Sequence, residues 1–327
     1  MSNLCLVIDE SGIPKKGKRS AGVERQHCGA IGKTDNCQVG VFAALSCGAL
    51  VSIIKAVLYL PKSWTDDKAR MAKVGVPSGC YRYKTKIEMA LELIIDIKKR
   101  LKIRLQWVVF DAFYGLDLGL LRELERLSVI FMAQIPESHK VSLKDFELKI
   151  PKQKSVCGRK VRKPKPTRTP ISVKKYVKTL ALADCTKLTV RTASNGLLKS
   201  YYHRIPVRLF DEQSLTKCRF TLMIRKEMNG DISFHLTNSK AHLQRLAYMQ
   251  GQRYFVEQAF RKAKQELGMD QYQVRGYGAW HKHMALVMMA QLFIQKEKVC
   301  INPKQSCRHN TRHRYRYQIT DLARQKN

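Results

Sequence analysis

The chain has 327 residues, with 61 Lys and Arg against 26 Asp and Glu, and a formal charge of +35. Its 44% hydrophobic content excludes wholesale disorder, and the charge points to a polyanion, nucleic acid ahead of an anionic membrane face. Ten cysteines without a Cys-x-x-Cys pair argue for reduced thiols in a cytoplasmic protein, and Met1 runs straight into a strand-like stretch rather than a signal peptide.

Residues 4–8 form an apolar run that ends in Asp9, which reads as a buried strand delivering an acid to its C-terminal end. A basic loop follows at 14–19, carrying Lys15, Lys16, Lys18 and Arg19. Stretches 26–30, 37–46 and 51–60 read as an antiparallel meander. Residues 41–60 are apolar and long enough to span a membrane. Gly48 interrupts them and Lys55 lies inside them, so two strands joined by a turn at 47–49 fit better. Residues 61–83 read as a polar connector. A helix is expected over 85–101, opened by a Thr85/Glu88 capping box and burying Ile87, Ala90, Leu91, Ile94 and Ile95. Residues 107–110 form a second buried strand that ends in an acid, Asp111. A helix at 117–127 and a strand at 129–135 complete an α/β core with a mixed sheet flanked by helices.

Between 151 and 178 stand eleven Lys and Arg, no acid and four prolines, a composition that suits an extended, solvated basic segment. Beyond it lie strand-like patches at 188–190, 205–210, 219–224 and 232–236, with a turn at Asn229-Gly230. The expected division is a first core part at 1–139, a β-rich basic insertion at 140–238, a helical part at 239–298 and a basic flexible tail at 299–327. One long helix is expected over about 240–267 and another over 280–298. The apolar run 284–294 is too short to cross a membrane.

Placed at 100° per residue, Phe255, Val256, Ala259, Phe260, Ala263 and Leu267 form the buried stripe of the first of these helices. Arg253, Glu257 and Lys264 form one row at its edge. An ordinary i,i+4 surface pair is the better explanation of Arg253 and Glu257 when they are taken alone. The combination says more. Asp9, Asp111 and Glu257 come from distant sequence, and three carboxylates suit a pair of hard cations such as Mg²⁺, with Mn²⁺ as a substitute. Such a pair activates a nucleophile and stabilises a leaving oxygen at phosphorus, and Arg253 and Lys264 would hold phosphates. Cys300, Cys307, His309 and His313 are a weak zinc candidate, because their spacing matches no usual knuckle. His281 and His283 lie near the start of an apolar helix, where a structural role and a DNA contact are equally open.

With these residues the sequence resembles the DDE transposases of bacterial insertion sequences, in the clan with a Tyr-x-x-Arg-x-x-x-Glu-x-x-x-x-x-x-Lys signature. Arg253, Glu257 and Lys264 stand at its spacing. The stretches 7–17, 32–39, 109–115 and 275–283 are similar to the subgroup with DDE superfamily endonuclease domains. The resemblance implies an RNase H-like fold with a β-rich insertion before the last acid. It also implies Mg²⁺ as cofactor, with Asp9, Asp111 and Glu257 as ligands and catalytic residues. The implied activity is cleavage and strand transfer at insertion-sequence ends. The implied partner is double-stranded DNA, at element ends and target, with a homodimer on DNA as an allowed assembly and no membrane; the implied location is cytoplasmic and nucleoid-associated. A nuclease without strand transfer and a DNA-binding remnant are the alternatives. Two features depart from the family pattern. Gln250 stands at the signature tyrosine position, with Tyr248 two residues away, and the first strand begins at residue 4 where such transposases carry a DNA-binding region ahead of it.

Overall fold

The computed structural model describes residues 4–100, 105–151, 163–193 and 196–301. The chain divides into two compact units, one of Met1–Val109 with Gln252–Asn327 and one of Phe110–Gly251.

The first unit is organised around β3 (Lys33–Cys47), a strand of fifteen residues whose middle, 37–44, is buried without alternation. That pattern belongs to a strand covered on both faces. Strand β1 (Cys5–Pro14) pairs antiparallel with one edge of β3, from Cys5↔Ser46 to Pro14↔Cys37. On the other edge of β3 lie β2 (Glu24–Cys28) and β4 (Leu50–Leu58). Gly48, at φ +63, makes the β3–β4 turn that a side chain would strain. The apolar stretch 41–60 is therefore a hairpin, and among the described residues no helix is long and apolar enough to cross a membrane.

Strand β1 does not end at Asp9 as expected. It runs to Pro14, because β3 offers hydrogen-bonding partners along its whole length. The connector 61–83 is also more structured than its polarity suggested. It holds α1 (Lys62–Thr65) and α2 (Lys68–Lys73), with Trp64 fully buried and its indole N–H donating to the Val23 carbonyl at 2.9 Å. Helix α3 (Lys86–Arg100) begins with the expected capping box: the Glu88 amide donates to Thr85 Oγ1 at 3.1 Å, and the Thr85 amide donates to Glu88 Oε2 at 2.7 Å. Its buried face is Met89, Ala90, Leu93, Ile94 and Ile97, so Ile87, Leu91 and Ile95 sit at the margin. Ion pairs from Lys86 to Glu10 and from Lys55 to Asp96 pin the helix in that rotation. Strand β5 (Trp107–Phe110) runs parallel to β1, pairing Cys5↔Trp107 through Val7↔Val109, which makes this a mixed sheet.

The second unit opens with α4 (Ala112–Gly115), α5 (Leu118–Arg126) and β6 (Phe131–Ile135). Short strands β7 (Lys140–Val141), β8 (Leu148–Lys149), β9 (Lys165–Pro166) and β10 (Ile171–Ser172) precede α6 (Val173–Lys178). Part of the basic run is thus packed rather than solvated: Ser172 Oγ caps α6 by accepting from the Lys175 amide, and Val173 is fully buried. Residues 152–162 of that run lie outside the described residues. Long strands β11 (Thr186–Ala193), β12 (Gly196–Asp211), β13 (Thr216–Glu227) and β14 (Ile232–Thr237) follow. With β6 they form an antiparallel set in the order β11-β12-β13-β14-β6. Gly230, at φ +94, lies in the expected β13–β14 turn. Helix α7 (Leu243–Gly251) closes the unit.

The chain re-enters the first unit with α8 (Arg253–Leu267) and α9 (Tyr277–Ile301). The single helix expected over 240–267 is therefore two, parted at Gln252. Helix α8 buries Val256, Ala259, Phe260 and Ala263 and ends at Gly268 in the left-handed conformation. Phe255 and Leu267 of the expected stripe are half-buried. Helix α8 packs on β1, β3 and β4, and α9 on β4. Cys5, Cys28, Cys37, Cys80, Cys185, Cys218 and Cys300 carry free thiols, whereas Cys47 is disulfide-bonded, against the expectation of reduced thiols throughout.

Candidate active site

Asp9 lies five residues into β1, and its Oδ1 accepts from the Glu10 amide at 2.8 Å. In the β1–β3 register it stands directly opposite Phe42. Opposed residues of an antiparallel pair share a face of the sheet, so the packing of Phe42 reports which way Asp9 points. The Phe42 ring meets Phe260 of α8 edge-on at 5.2 Å and Trp280 of α9 at 6.2 Å. Asp9 thus projects from the face covered by α8 and α9. Glu10 projects from the opposite face, where Lys86 Nζ stands 2.8 Å from its Oε2.

Glu257 is on α8, three residues ahead of Phe260. Its side chain is 53% exposed, and its Oε1 lies 3.4 Å from Arg253 Nη2, whose side chain is 26% exposed. Lys264, two turns on, is half-buried. The helical row expected from the sequence is therefore present at the edge of the buried face, with the first two members in contact.

Asp111 follows β5 and caps α4, where its Oδ1 accepts from the Phe113 amide at 3.0 Å and the Tyr114 amide at 3.4 Å. These two amides hold the carboxylate at the helix start and leave Oδ2 outside the cap. Gly115 is required at the end of this turn: a Cβ there would lie 1.9 Å from the Gln134 carbonyl oxygen. The motif 111–115 is thus a capped turn laid against β6. The parallel pairing Val7↔Val109 falls two residues ahead of Asp9 on one strand and two ahead of Asp111 on the other.

Asp9 and Glu257 belong to the first unit and Asp111 to the second. Among the described residues no three His, Cys, Asp or Glu gather as a metal-holding group. The donor chemistry itself fits hard divalent cations, since all three candidates are carboxylates on regular elements.

The basic loop divides in two. Lys16, Lys18 and Arg19 are exposed. Lys15 instead donates to the Tyr272 carbonyl at 2.9 Å and lies 3.5 Å over the Tyr272 ring, and burial lowers its pKa. It ties the loop to the segment between α8 and α9. Gln250 is engaged within the second unit, accepting from Arg225 Nη1 at 3.1 Å and from the Tyr202 hydroxyl at 3.4 Å. Tyr248 stacks beneath Arg245. His281 bonds the Tyr277 carbonyl, and burial lowers its pKa; His283 bonds the Gly268 carbonyl. Both histidines have structural partners. Cys300 is exposed near the end of α9, and Cys307, His309 and His313 lie outside the described residues.

Two buried side chains were not anticipated from the sequence. Gln252 is 2% and Gln291 4% exposed, and each bridges α8 to the β3–β4 hairpin. Gln291 does leave a sequence signal, as the single polar residue within the apolar run 284–294.

A model of the DDE superfamily endonucleases matches residues 1–197. The chain belongs to this family. The matched stretch contains Asp9 and Asp111 and ends before α8. Members of the family generally use divalent metal ions. Over 144 residues the chain is 29% identical to a probable transposase for insertion sequence element IS701 from Microchaete diplosiphon, a match covering 43% of this chain and 34% of that relative. The chain thus spans about a third of the length of that relative.

Proposed function

We propose that the chain is the catalytic region of an insertion-sequence transposase with an RNase H-like core, and that Asp9, Asp111 and Glu257 hold a pair of Mg²⁺ ions, replaceable by Mn²⁺. The observation that carries this reading is the placement of Asp9. It lies on a mixed-sheet strand, two residues past a parallel pairing, and on the face covered by the helix that carries Glu257. The parallel partner strand leads, two residues past the same pairing, to the capped Asp111. Bound metal would supply a more acidic water and charge stabilisation at phosphorus.

The residues of the chain have separable tasks in the two transfers. In the first, water attacks a DNA phosphodiester, the bond to the 3′-oxygen breaks, and that oxygen leaves as a 3′-hydroxyl. In the second, this hydroxyl loses its proton as it attacks a target phosphodiester, the target's own bond from phosphorus to its 3′-oxygen breaks, and that oxygen leaves as a new 3′-hydroxyl. Asp111 is oriented for its part by the Phe113 and Tyr114 amides, and Asp9 by the Glu10 amide. Arg253 pairs with Glu257 and would bind a phosphate. Lys16, Lys18 and Arg19 bind the DNA backbone, while Lys15 holds their loop in place. Double-stranded DNA is the partner.

The test is nicking of supercoiled plasmid in Mg²⁺ by the full chain and by Asp9→Asn, Asp111→Asn and Glu257→Gln. Each substitution is expected to lower nicking by roughly 10²–10³-fold, the scale of losing one electrostatic stabiliser, while retardation of the same DNA is unchanged. Activity that survives all three refutes the site. Incubation with pre-cut ends then separates transposase from nuclease, because only strand transfer yields joined product.

A further inference from the structure

We propose that Gln252 and Gln291 form a two-point clamp that positions Glu257, a proposal that rests on the reading of Glu257 given above. Gln252 immediately precedes α8. Its Oε1 accepts from Ser46 Oγ at 3.1 Å and from the Gly48 amide at 3.2 Å, so the start of the helix is tied to the β3–β4 turn. Gln291 lies on α9 and bonds in two directions: its Oε1 accepts from the Ile53 amide at 2.8 Å, and its Nε2 donates to the Ala259 carbonyl at 3.0 Å. Ile53 sits where β4 carries an extra residue against β3, between the pairs Ala43↔Lys55 and Ala44↔Ile53. A bulge unsettles the local ladder, and the Gln291 amide supplies a partner there.

The two anchor points bracket Glu257, one five residues before it and one two residues after it. Both attach α8 to the same hairpin, and that hairpin carries Phe42, the cross-strand neighbour of Asp9. Apolar packing of Val256, Ala259, Phe260 and Ala263 holds the helix on the sheet but tolerates sliding and rotation, since dispersion contacts are not directional. Hydrogen bonds made by the buried glutamine side chains do not tolerate them, because a displaced helix leaves the buried Ile53 N–H unpaired and strips the half-buried Gly48 N–H of its partner. The clamp therefore fixes the height and rotation of the Glu257 carboxylate relative to β1. Gln252 and Gln291 are positioning residues, acting through the helix rather than on DNA.

The test uses the full chain and supercoiled plasmid in Mg²⁺, with Gln252→Met and Gln291→Met. Each is expected to lower the nicking rate at saturating DNA roughly tenfold, the scale of misplacing a catalytic group by a fraction of an ångström. Half-saturation by DNA should stay within about twofold, and amide exchange should quicken in 253–263 but not in 86–100. Gln252→Glu keeps the acceptor for Ser46 and Gly48 and should recover most of the rate. If Gln291→Met melts below the assay temperature, Gln291→Glu replaces it, keeping the acceptor for Ile53 and losing the donor to Ala259. A saturating rate within twofold of the parent in both methionine variants overturns the clamp, as does a loss matched by equal loss of DNA affinity. If the parent chain does not nick plasmid, or if Glu257→Gln nicks as well as it does, the functional reading fails. The clamp is then decided by exchange alone, and unchanged exchange in 253–263 overturns it.

Discussion

In the unit formed by residues 1–109 and 252–327, three deeply buried side chains that join elements are neutral amides. Gln252 and Gln291 tie α8 to the β3–β4 hairpin. Gln38, 1% exposed, donates to the Ala21 carbonyl at 2.6 Å and accepts from the Tyr272 hydroxyl at 2.7 Å. In the unit of residues 110–251 two buried charges, Arg225 and Asp211, do comparable work beside the neutral Thr237, whose hydroxyl donates to the Phe131 carbonyl. Arg225 bonds Ser200 and Gln250 and pairs with Glu227 at 3.0 Å. Asp211 pairs with Arg122 at 2.8 Å and accepts from Ser214 Oγ at 2.6 Å and the Gln213 amide at 2.9 Å. The difference is physical. A glutamine offers one donor and one acceptor group and satisfies two partners without the desolvation cost of an ion. A buried charge binds its partner more strongly but depends on that partner and on pH.

Removal of the anionic partner is expected to have the largest effect on stability. Asp211→Ala removes the carboxylate from Arg122, which keeps its bonds to Ser214 and Thr216, and should cost about 2 kcal/mol in denaturant unfolding, below the range for a fully buried pair because Arg122 stays a third exposed. A cost near zero would mean that water replaces the carboxylate. Gln38→Leu comes next, at about 1–2 kcal/mol by the same measurement, since it strands the Tyr272 hydroxyl and the Ala21 carbonyl.

Acid separates the two devices. Burial alone would raise the Asp211 carboxyl, but the bonds from Ser214 and Gln213 and the Arg122 charge outweigh it and hold its pKa below the ordinary 3.8. A depressed folded pKa contributes stability that is present above the unfolded value and is lost as pH falls through the folded one. The cost of Asp211→Asn should therefore shrink as pH is lowered below about 4, while that of Gln38→Leu does not follow this titration. Equal pH dependence of the two would break the comparison. The smallest effect belongs to the exposed cap of α3: Thr85→Ala should cost about 0.5–1 kcal/mol, well short of either buried bridge.

Much of the fold was legible because its signals are local. The Thr85/Glu88 box opens α3, Gly48 and Gly230 make the turns where they were expected, and the apolar runs at 37–46, 51–60 and 107–110 are strands. Of the candidate acids, Asp111 follows a strand and Glu257 keeps its place in a helical row as the local pattern implied, whereas Asp9 lies inside β1 rather than at its end. What was misread depends on distant partners. The extension of β1 past Asp9 needs β3, the rotation of α3 needs Glu10 and Lys55, and the packing of Val173 sets it apart from the solvated run expected at 151–178.

The sequence by itself determined many of the segments that become helices and strands, the tight turns at Gly48 and Gly230, that the chain is strongly basic, and which carboxylates stand out against that charge. Backbone sterics, capping and side-chain periodicity act over a few residues and can be read there. Only the tertiary structure decided that Asp9 lies on the face covered by α8. The same holds for the glutamine at 291, which serves an amide 238 residues away. Those facts rest on hydrogen bonds between segments far apart in the chain, and no local pattern encodes the partner.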